Sequence, residues 1–476
     1  MPYLNKLSRW ATERAQRTAV AVGADRLDFA QLAERAAAQL PGTPAVAALC
    51  LPNSLDLAVR FTAALAGRRM VGVLDPAWPE AVRSGVLASI ASLAEGIGCA
   101  EETGGDALVD GPPDSTFLIG LTSGTSSVPK GFRRNRATWQ ESFERSIAYF
   151  GLAMDDVTLA PGSLASSLNL YALAECLYAG TTFHALAEPS VAGAVASVAH
   201  DGVTRLVLVP TMAALMARHG LATGASAAGL QSVICAGSAL DADTVELLRR
   251  WAPQAAIHQY YGSSELGFVA AGQPAPGAPA AQEVPGPPDA VGLPFPGTEV
   301  RIRDTHGHDL PAGEPGTIHV RSTLVCGGYV WGDDGHAFTS AGGWSTVHDQ
   351  GFLDGEGRLH VLGRDSDMIL SSGHNVYPHE VEAVLAAAAG VAQVLVVGVA
   401  DPVRGQRVVA AVLAEPGKTV EAAPLRALGA EHLPPAKRPG RYYRLDALPT
   451  TPAGKVSRAL LGTWIEGGHG AVHRIF

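Results

Sequence analysis

Short apolar runs bounded by turn residues recur through the first half of the chain. Residues 46–51, 70–74, 117–121, 205–209 and 233–235 are such runs, too short for helices, and they read as buried strands. Between several of them the spacing becomes helical. Residues 54–66 (SLDLAVRFTAALA) follow one strand, and 241–251 (DADTVELLRRW) follow another with Asp241 placed as an N-cap. Strands alternating with helices predict parallel pairing and layered α/β structure. Past Val291 the texture changes to strand-like runs, 299–303 and 317–321, interrupted by Gly-rich turns. After Arg364, residues 379–389 place Val381, Val384, Leu385 and Ala388 on one helical face. Strand runs at 394–399 and 408–413 follow, then a basic, Pro-containing stretch at 432–441 and a terminal helix from about Val456. The pattern predicts an α/β fold. Its large N-terminal domain (1–364) has layered α/β sheets and a β-rich subdomain, and a small α+β C-terminal domain spans 365–476.

Composition narrows the class. The 476 residues are 47% hydrophobic and 17% charged, which excludes disorder as the main state. Thirty-five basic against 45 acidic residues leave a net charge of −10, which argues against nucleic acid or an anionic membrane as partner. Cys50, Cys99, Cys176, Cys235 and Cys326 are far apart with no C-x-x-C pair, as in a reduced cytoplasmic protein without a metal or disulfide framework. Cys235, at the end of a strand, reads as a small core residue. No apolar run suits a signal peptide or membrane span, so the expectation is a soluble protein without membrane insertion. Residues 273–290 are packed with Pro, Ala and Gly and read as a surface loop. His306 and His308 form an H-x-H in a polar turn and His379 opens a helix; solvated positions are the expectation for all three, with no third metal ligand in view.

Four segments carry candidate chemistry. Residues 122–131 (TSGTSSVPKG) follow the 117–121 strand. Small residues there let backbone N–H groups approach an anion, and Lys130 adds a point charge for phosphate. No G-K-[ST] ends the loop, so it is not a Walker A sequence. Residues 257–265 (IHQYYGSSE) run from a strand into a tight turn ending in Glu265, a place where ligands of α/β sheets sit and where a carboxylate could hold Mg²⁺. Residues 342–351 (GGWSTVHDQG) and 363–369 (GRDSDMI) offer Asp349 as an acceptor for ribose hydroxyls and Arg364 beside it. Residues 449–458 (PTTPAGKVSR) put Lys455 on a Pro/Gly turn before a helix. Taken alone, the first three segments read better as ordinary turns, and the fourth reads equally well as one.

Together, in order and spacing, they resemble the adenylate-forming superfamily of acyl-CoA synthetases, nonribosomal adenylation domains and firefly luciferase, and are most similar to the acyl-CoA synthetases. TSGTSSVPKG resembles that family's phosphate loop, YGSSE its Tyr-Gly-x-Thr-Glu motif and STVHD its Thr-Gly-Asp motif. Residues 363–382 resemble the hinge and following loop, PAGKVSR the C-terminal lysine motif, and 292–297 (GLPFPG) a further signature. The resemblance spans about residues 20–460. It implies that a carboxylate attacks the α-phosphate of ATP to give an acyl-adenylate and pyrophosphate, and that a thiol then displaces AMP. Thr122, Ser123, Gly124, Thr125 and Lys130 would line the phosphates. Gly237, Ser238 and Ala239 would face the adenine edge, with Tyr261 on its face and Gly262 in the turn beneath. Ser264 would touch the α-phosphate, Glu265 would hold Mg²⁺, Asp349 the ribose, with Arg364 close by. Lys455 would stabilise the charge of the transferring phosphoryl. The small domain would rotate about Ser366, so that Lys455 serves the first half-reaction and the Ser371, Ser372, Gly373 loop, on the thiol channel, the second. The acyl pocket would take in Ser166, Ser167, Tyr171, Met212 and Tyr260.

No aromatic-Asp motif is present to hold an α-ammonium, which favours a carboxylic acid with an apolar body over an amino acid. The acceptor is CoA or a free carrier protein, and a homodimer is compatible with the sequence. Departures from the family pattern are Ser127 in place of a phosphate-loop glycine, His348 in place of the glycine before the ribose aspartate, Ser366 where Asp or Lys is commoner, and a short segment before the phosphate loop. The Ser127 Cβ would crowd a loop that needs unusual dihedrals. That keeps open an acyl-adenylate-to-CoA transferase with weak adenylation of its own, and, further off, a non-catalytic adenylate-binding protein.

Overall fold

The computed structural model describes residues 3–97, 107–122, 129–272, 290–364 except 334 and 336, 367–371, 374–450 except 403, and 456–475. The 273–290 loop, apart from Ala290, lies outside these residues, as does Cys99. The chain divides into two compact units. The first comprises 1–301, 319–347 and 353–360; the second comprises 302–318, 348–352 and 361–476.

The first unit is organised around two sheets. In one, the strands run in the order Gly267–Gly272, Ala256–Ser263, Ser232–Ala236, Arg205–Leu208, Val157–Leu159, Thr182–Ala185, Thr18–Val22 and Asp25–Asp28. Within this run the internal pairings are parallel; the antiparallel Asp25–Asp28 ends the sheet on one side, and on the other the sheet continues from the antiparallel Gly267–Gly272 to Ala290–Pro294. The other sheet orders Val46–Leu49, Met70–Val73, Thr116–Thr122, Lys130–Asn135 and Tyr329–Trp331. The apolar runs read as buried strands are strands here. The expected helices form too: Leu55–Ala63 is capped by the Ser54 hydroxyl, and Ala242–Trp251 by the Asp241 carboxylate, which accepts from the Thr244 N–H at 2.6 Å.

The Ser232–Ala236 strand alternates its side chains between two cores. Ile234 joins Phe150, Tyr178 and Phe268 in one cluster, while Val233 and Cys235 join Met216, Leu230 and Leu248 in the other. Period-two alternation in a strand covered on both faces produces this division. The helices Arg136–Phe150 and Ser167–Ala179 contribute Phe143, Phe150, Leu173 and Leu177 to the first cluster.

In the second unit a six-stranded sheet runs His374–Val376, Ile369–Ser371, Gly405–Ala414, Arg441–Leu445 and Val472–Arg474, with Val391–Asp401 on the other side of Gly405–Ala414. The helix Pro378–Ala386 buries Val381 and Leu385 against Val394, Val396 and Val408. Among the described residues no helix is long and apolar enough to cross a membrane, and Cys50, Cys176, Cys235 and Cys326 are free thiols.

Candidate active site

Residues 122 and 130 pair directly across a hairpin: Thr122 ends one strand and Lys130 begins its antiparallel neighbour. Ser123, Gly124, Thr125 and Ser127 lie outside the described residues. Lys130 is buried, with its ammonium 5.7 Å from the centre of the Tyr329 ring, near enough for a cation–π attraction. The base of the hairpin is packed by Trp331. Its indole N–H donates to the Pro129 carbonyl at 2.9 Å, and its ring covers Gly131, where a Cβ would come within 2.4 Å of the indole.

Glu265 ends the turn after the Ala256–Ser263 strand and is buried. The Tyr329 hydroxyl donates to its Oε1 at 2.7 Å. Burial, reinforced by this carboxylate, raises the Tyr329 phenol far above its usual range, so it stays a neutral donor. Cys326 N–H donates to the Glu265 carbonyl at 2.7 Å, and the buried Arg134 guanidinium donates to the carbonyls of Ser264 (2.7 Å) and Leu324. Gly262 is required by close approach, since a Cβ there would sit 2.3 Å from the Gly267 carbonyl oxygen. Thr122, Lys130, Glu265 and Tyr329 thus form one cluster. A buried, hydrogen-bonded carboxylate is the hard oxygen donor that Mg²⁺ takes together with phosphate oxygens, and the chemistry of this donor set fits that ion. Tyr329 and Arg134 escaped the sequence reading because each serves Glu265 from a strand remote in sequence.

Gly237 follows the Ser232–Ala236 strand with φ +95°, and Ser238 and Ala239 beyond it are exposed. Tyr261 is half-buried, one residue past the register pair Ala236 and Tyr260. These are the carboxyl ends of adjacent parallel strands, where α/β sheets bind ligands.

Ser264 connects this end of the sheet to the expected acyl pocket, because its hydroxyl lies 3.2 Å from that of Ser167 in the first turn of Ser167–Ala179. Ser166 is that helix's N-cap residue. Tyr171 and Tyr260 line a narrow cavity with Leu168, Val207, Ile234 and Phe268. Met212 is not among its lining residues; it packs in the cluster on the opposite face of the sheet. Glu175 and Arg205 line it too, so part of its wall is charged. The Arg205 guanidinium donates to Glu175 Oε2 at 2.7 Å, both side chains being almost fully buried, and Ser146 donates to Glu175 Oε1. The Tyr171 hydroxyl lies 2.7 Å from Ser142 Oγ and 3.1 Å from Ser146 Oγ.

In the second unit Asp349 is buried at the start of Asp349–Leu353, with Arg364 Nε at 3.7 Å on an exposed side chain. Ser371 is buried on the Ile369–Ser371 strand. Ser366, Ser372, Gly373 and Lys455 lie outside the described residues. Thr450 and Val456, which flank 451–455, pair in an antiparallel bridge. Just beyond, Arg458 donates to Glu382 (2.7 Å) and Asp367 (3.2 Å) and meets the His379 ring. His379 is therefore part of an ionic cluster. His306 and His308 flank a turn in which Asp304 accepts both of their amide N–H groups.

The AMP-binding enzyme family matches residues 86–330, and the AMP-binding enzyme C-terminal domain matches 380–455. The uncharacterised acyl–CoA ligase YhfT of Bacillus subtilis (strain 168) is 30% identical over 449 residues, covering 90% of this chain and 89% of its own. A feruloyl-CoA synthase of an Amycolatopsis species is 32% identical over 364 residues, or 74% of this chain and 71% of its own. Among solved structures, o-succinylbenzoate CoA synthetase (MenE) from Bacillus subtilis, in complex with its acyl-adenylate intermediate, superposes with a TM-score of 0.81 at 24% identity, covering 96% of this chain and 97% of the other. The chain belongs to the AMP-binding enzyme family, among the adenylate-forming acyl-CoA ligases.

Proposed function

We propose that this protein joins a carboxylic acid to the thiol of coenzyme A in two half-reactions at one site. The acid's carboxylate attacks the α-phosphate of ATP, giving acyl-adenylate and pyrophosphate; the thiol then attacks the acyl carbon and AMP leaves. The observation that carries this reading is the cluster of Thr122, Lys130 and Tyr329, on antiparallel strands of one sheet, with Glu265, just past the carboxyl end of Ala256–Ser263 in the other. It offers a cation and a metal-binding carboxylate where a triphosphate needs both. Bound Mg²⁺ would neutralise phosphate charge. Glu265 would hold it, with Tyr329 fixing the carboxylate's orientation, and Lys130 would take a phosphate oxygen. Asp349 would bind the ribose hydroxyls with Arg364 at its side. Lys455 would serve the first half-reaction and the 371–373 loop the second, with Ser366 as pivot.

The test is AMP release from a panel of carboxylic acids with ATP, Mg²⁺ and CoA, with a phosphopantetheinylated carrier protein as the alternative acceptor. Lys455→Ala should slow adenylation by about a hundredfold or more, as loss of one electrostatic donor does elsewhere. It should leave thioester formation from synthetic acyl-adenylate close to normal. Equal loss in both half-reactions would overturn the role given to Lys455.

A further inference from the structure

A second cavity lies toward the Asp25–Asp28 end of the larger sheet, among the parallel strands Thr18–Val22, Thr182–Ala185 and Val157–Leu159. Thr18, Val157 and Thr182, each the first residue of its strand, line it, which sets it apart from the carboxyl-end turns that carry Gly237 and Glu265. Its volume is about 240 Å³, below the roughly 300–1,000 Å³ of sites for larger organic ligands. Its polar wall is made by Arg17, Arg26, His184 and Asp201. Arg17 donates from Nη1 to Asp155 at 2.9 Å, a carboxylate that Arg14 also binds at 3.0 Å, and its buried Nε–H has no hydrogen-bond partner. Arg26 stands 3.7 Å from Asp201, beyond hydrogen-bond reach. His184 is 1% exposed. Burial outweighs the Asp201 charge and lowers its imidazole below the ordinary 6.5, so the ring is neutral above pH 7. Its bond to the Gly23 backbone favours the protonated ring, as donation to a carbonyl does, and Nε2 has no partner. Nε2 is therefore an acceptor.

We propose that this cavity binds inorganic phosphate: Arg17 and Arg26 take its charged oxygens, and Asp201 and His184 take the proton that the ion keeps at neutral and mildly alkaline pH. Two arginines against one aspartate leave the lining residues with a net positive charge, and guanidinium forks suit phosphate oxygens. The neighbouring Asp156 is occupied elsewhere, accepting from the Ala153 N–H and the Thr204 hydroxyl. Two acceptors on the same wall repel the lone pairs of an ion that lacks a proton, such as sulfate or a carboxylate. Hydrogen phosphate presents acceptor oxygens and an O–H together, and so matches all four groups. The bound ion ties Arg17 and Arg26, which flank the hairpin of Thr18–Val22 and Asp25–Asp28, to the end of helix Val191–His200, where Asp201 is the C-cap. The inference stands apart from the ligase reading, since none of these residues belongs to the adenylate site.

Calorimetric titration of the full chain at pH 8, without nucleotide, compares inorganic phosphate with sulfate and methyl phosphate. The last two carry no O–H there, since a phosphate ester loses its second proton near pH ~6. One phosphate should bind per chain, and both other ions should bind at least about tenfold more weakly, as where a site is built to hydrogen-bond a hydroxyl. The Arg26 side chain is 55% exposed, so Arg26→Gln leaves the fold intact. It should weaken phosphate by about tenfold or more, the worth of a charge-assisted hydrogen bond. Asp201→Asn puts a donor beside the acceptor and should narrow the ratio of phosphate to sulfate affinity, an effect that loss of fold cannot mimic. Lys130→Ala should bind phosphate as the wild type does, which separates this cavity from the phosphate loop. The proposal is overturned by sulfate binding as tightly as phosphate, or by no binding at millimolar phosphate. Binding that Lys130→Ala removes and Arg26→Gln keeps would overturn it too.

Discussion

His348 has φ +60°, and among the described residues it is the one non-glycine in the left-handed region. The Cβ clash there costs about 1–2 kcal/mol. The sign of a familiar comparison should therefore reverse at this position. His348→Gly and His348→Ala both lose the imidazole, and the Gly variant should be the more stable by about 1 kcal/mol, whereas elsewhere Ala is the more stable. Chemical denaturation of the two variants checks this; an Ala variant equal to or above Gly would mean the backbone is not strained. Tyr329 makes a second case. Tyr329→Phe keeps the ring over Lys130 but removes the hydroxyl that orients Glu265. Half-saturation by Mg²⁺ in pyrophosphate exchange should rise by about tenfold, the lower range for loss of a partner behind a metal ligand. An unchanged Mg²⁺ requirement would remove Tyr329 from the site. At this scale the sequence showed the motif residues but not their supports. Glu175 did leave a signal. It is a lone charge in SLNLYALAECLYA, a helix apolar on nearly every side, and a helix of that kind is buried. Its partner Arg205, 30 residues away on a strand, had no such marker.

The elements themselves were more legible, because their bounds depend on local chemistry. The hydroxyl of Ser54 and the carboxylates of Asp241 and Asp28 cap the helices they precede. Ser457 likewise caps Arg458–Gly467, next to the predicted start at Val456. What local pattern could not give was how one helix is fastened to the next. Arg458 joins the start of the terminal helix to Glu382 in Pro378–Ala386 and to Asp367. Burial alone would raise the Glu382 carboxyl, but the His379 hydrogen bond and the Arg458 charge outweigh it and hold the carboxyl below its ordinary value of 4.5. A carboxyl depressed in the folded state stabilises it above the unfolded pKa, and that contribution disappears as pH falls through the folded value. The C-terminal unit should therefore lose stability as pH drops below about 4.5. Arg458→Met should destabilise this unit at neutral pH, by on the order of 1–2 kcal/mol, because Glu382 would keep only the His379 ring and the Val396 N–H as partners, and should flatten the acid limb. Amide exchange in Val391–Asp401 and Gly405–Ala414 reads both effects. Unaltered protection in the variant would contradict them.

At the scale of the molecule, motif order along the chain is a poor guide to which compact unit a residue joins. Asp349 and Arg364 belong to the second unit, and so do residues 302–318, although chain order alone would group all of these with the strands of the first. Only pairing in space reveals that. The same long-range pairing sets a timetable for synthesis. Thr18–Val22 forms parallel pairs with Thr182–Ala185, and Lys130–Asn135 pairs with Tyr329–Trp331. A ribosome adding about 5–20 residues per second needs roughly 10–30 s to make the stretch between the first pair. For that interval the Thr18–Asp28 hairpin has an open edge and no lateral partner, the condition in which strands find wrong partners. A pause in translation between residue 30 and the emergence of Thr182–Ala185 from the ribosome would lengthen this exposure, whereas a later one would not. Nascent chains stalled before and after Thr182–Ala185 has left the ribosome should therefore differ sharply in how tightly a holdase chaperone binds them.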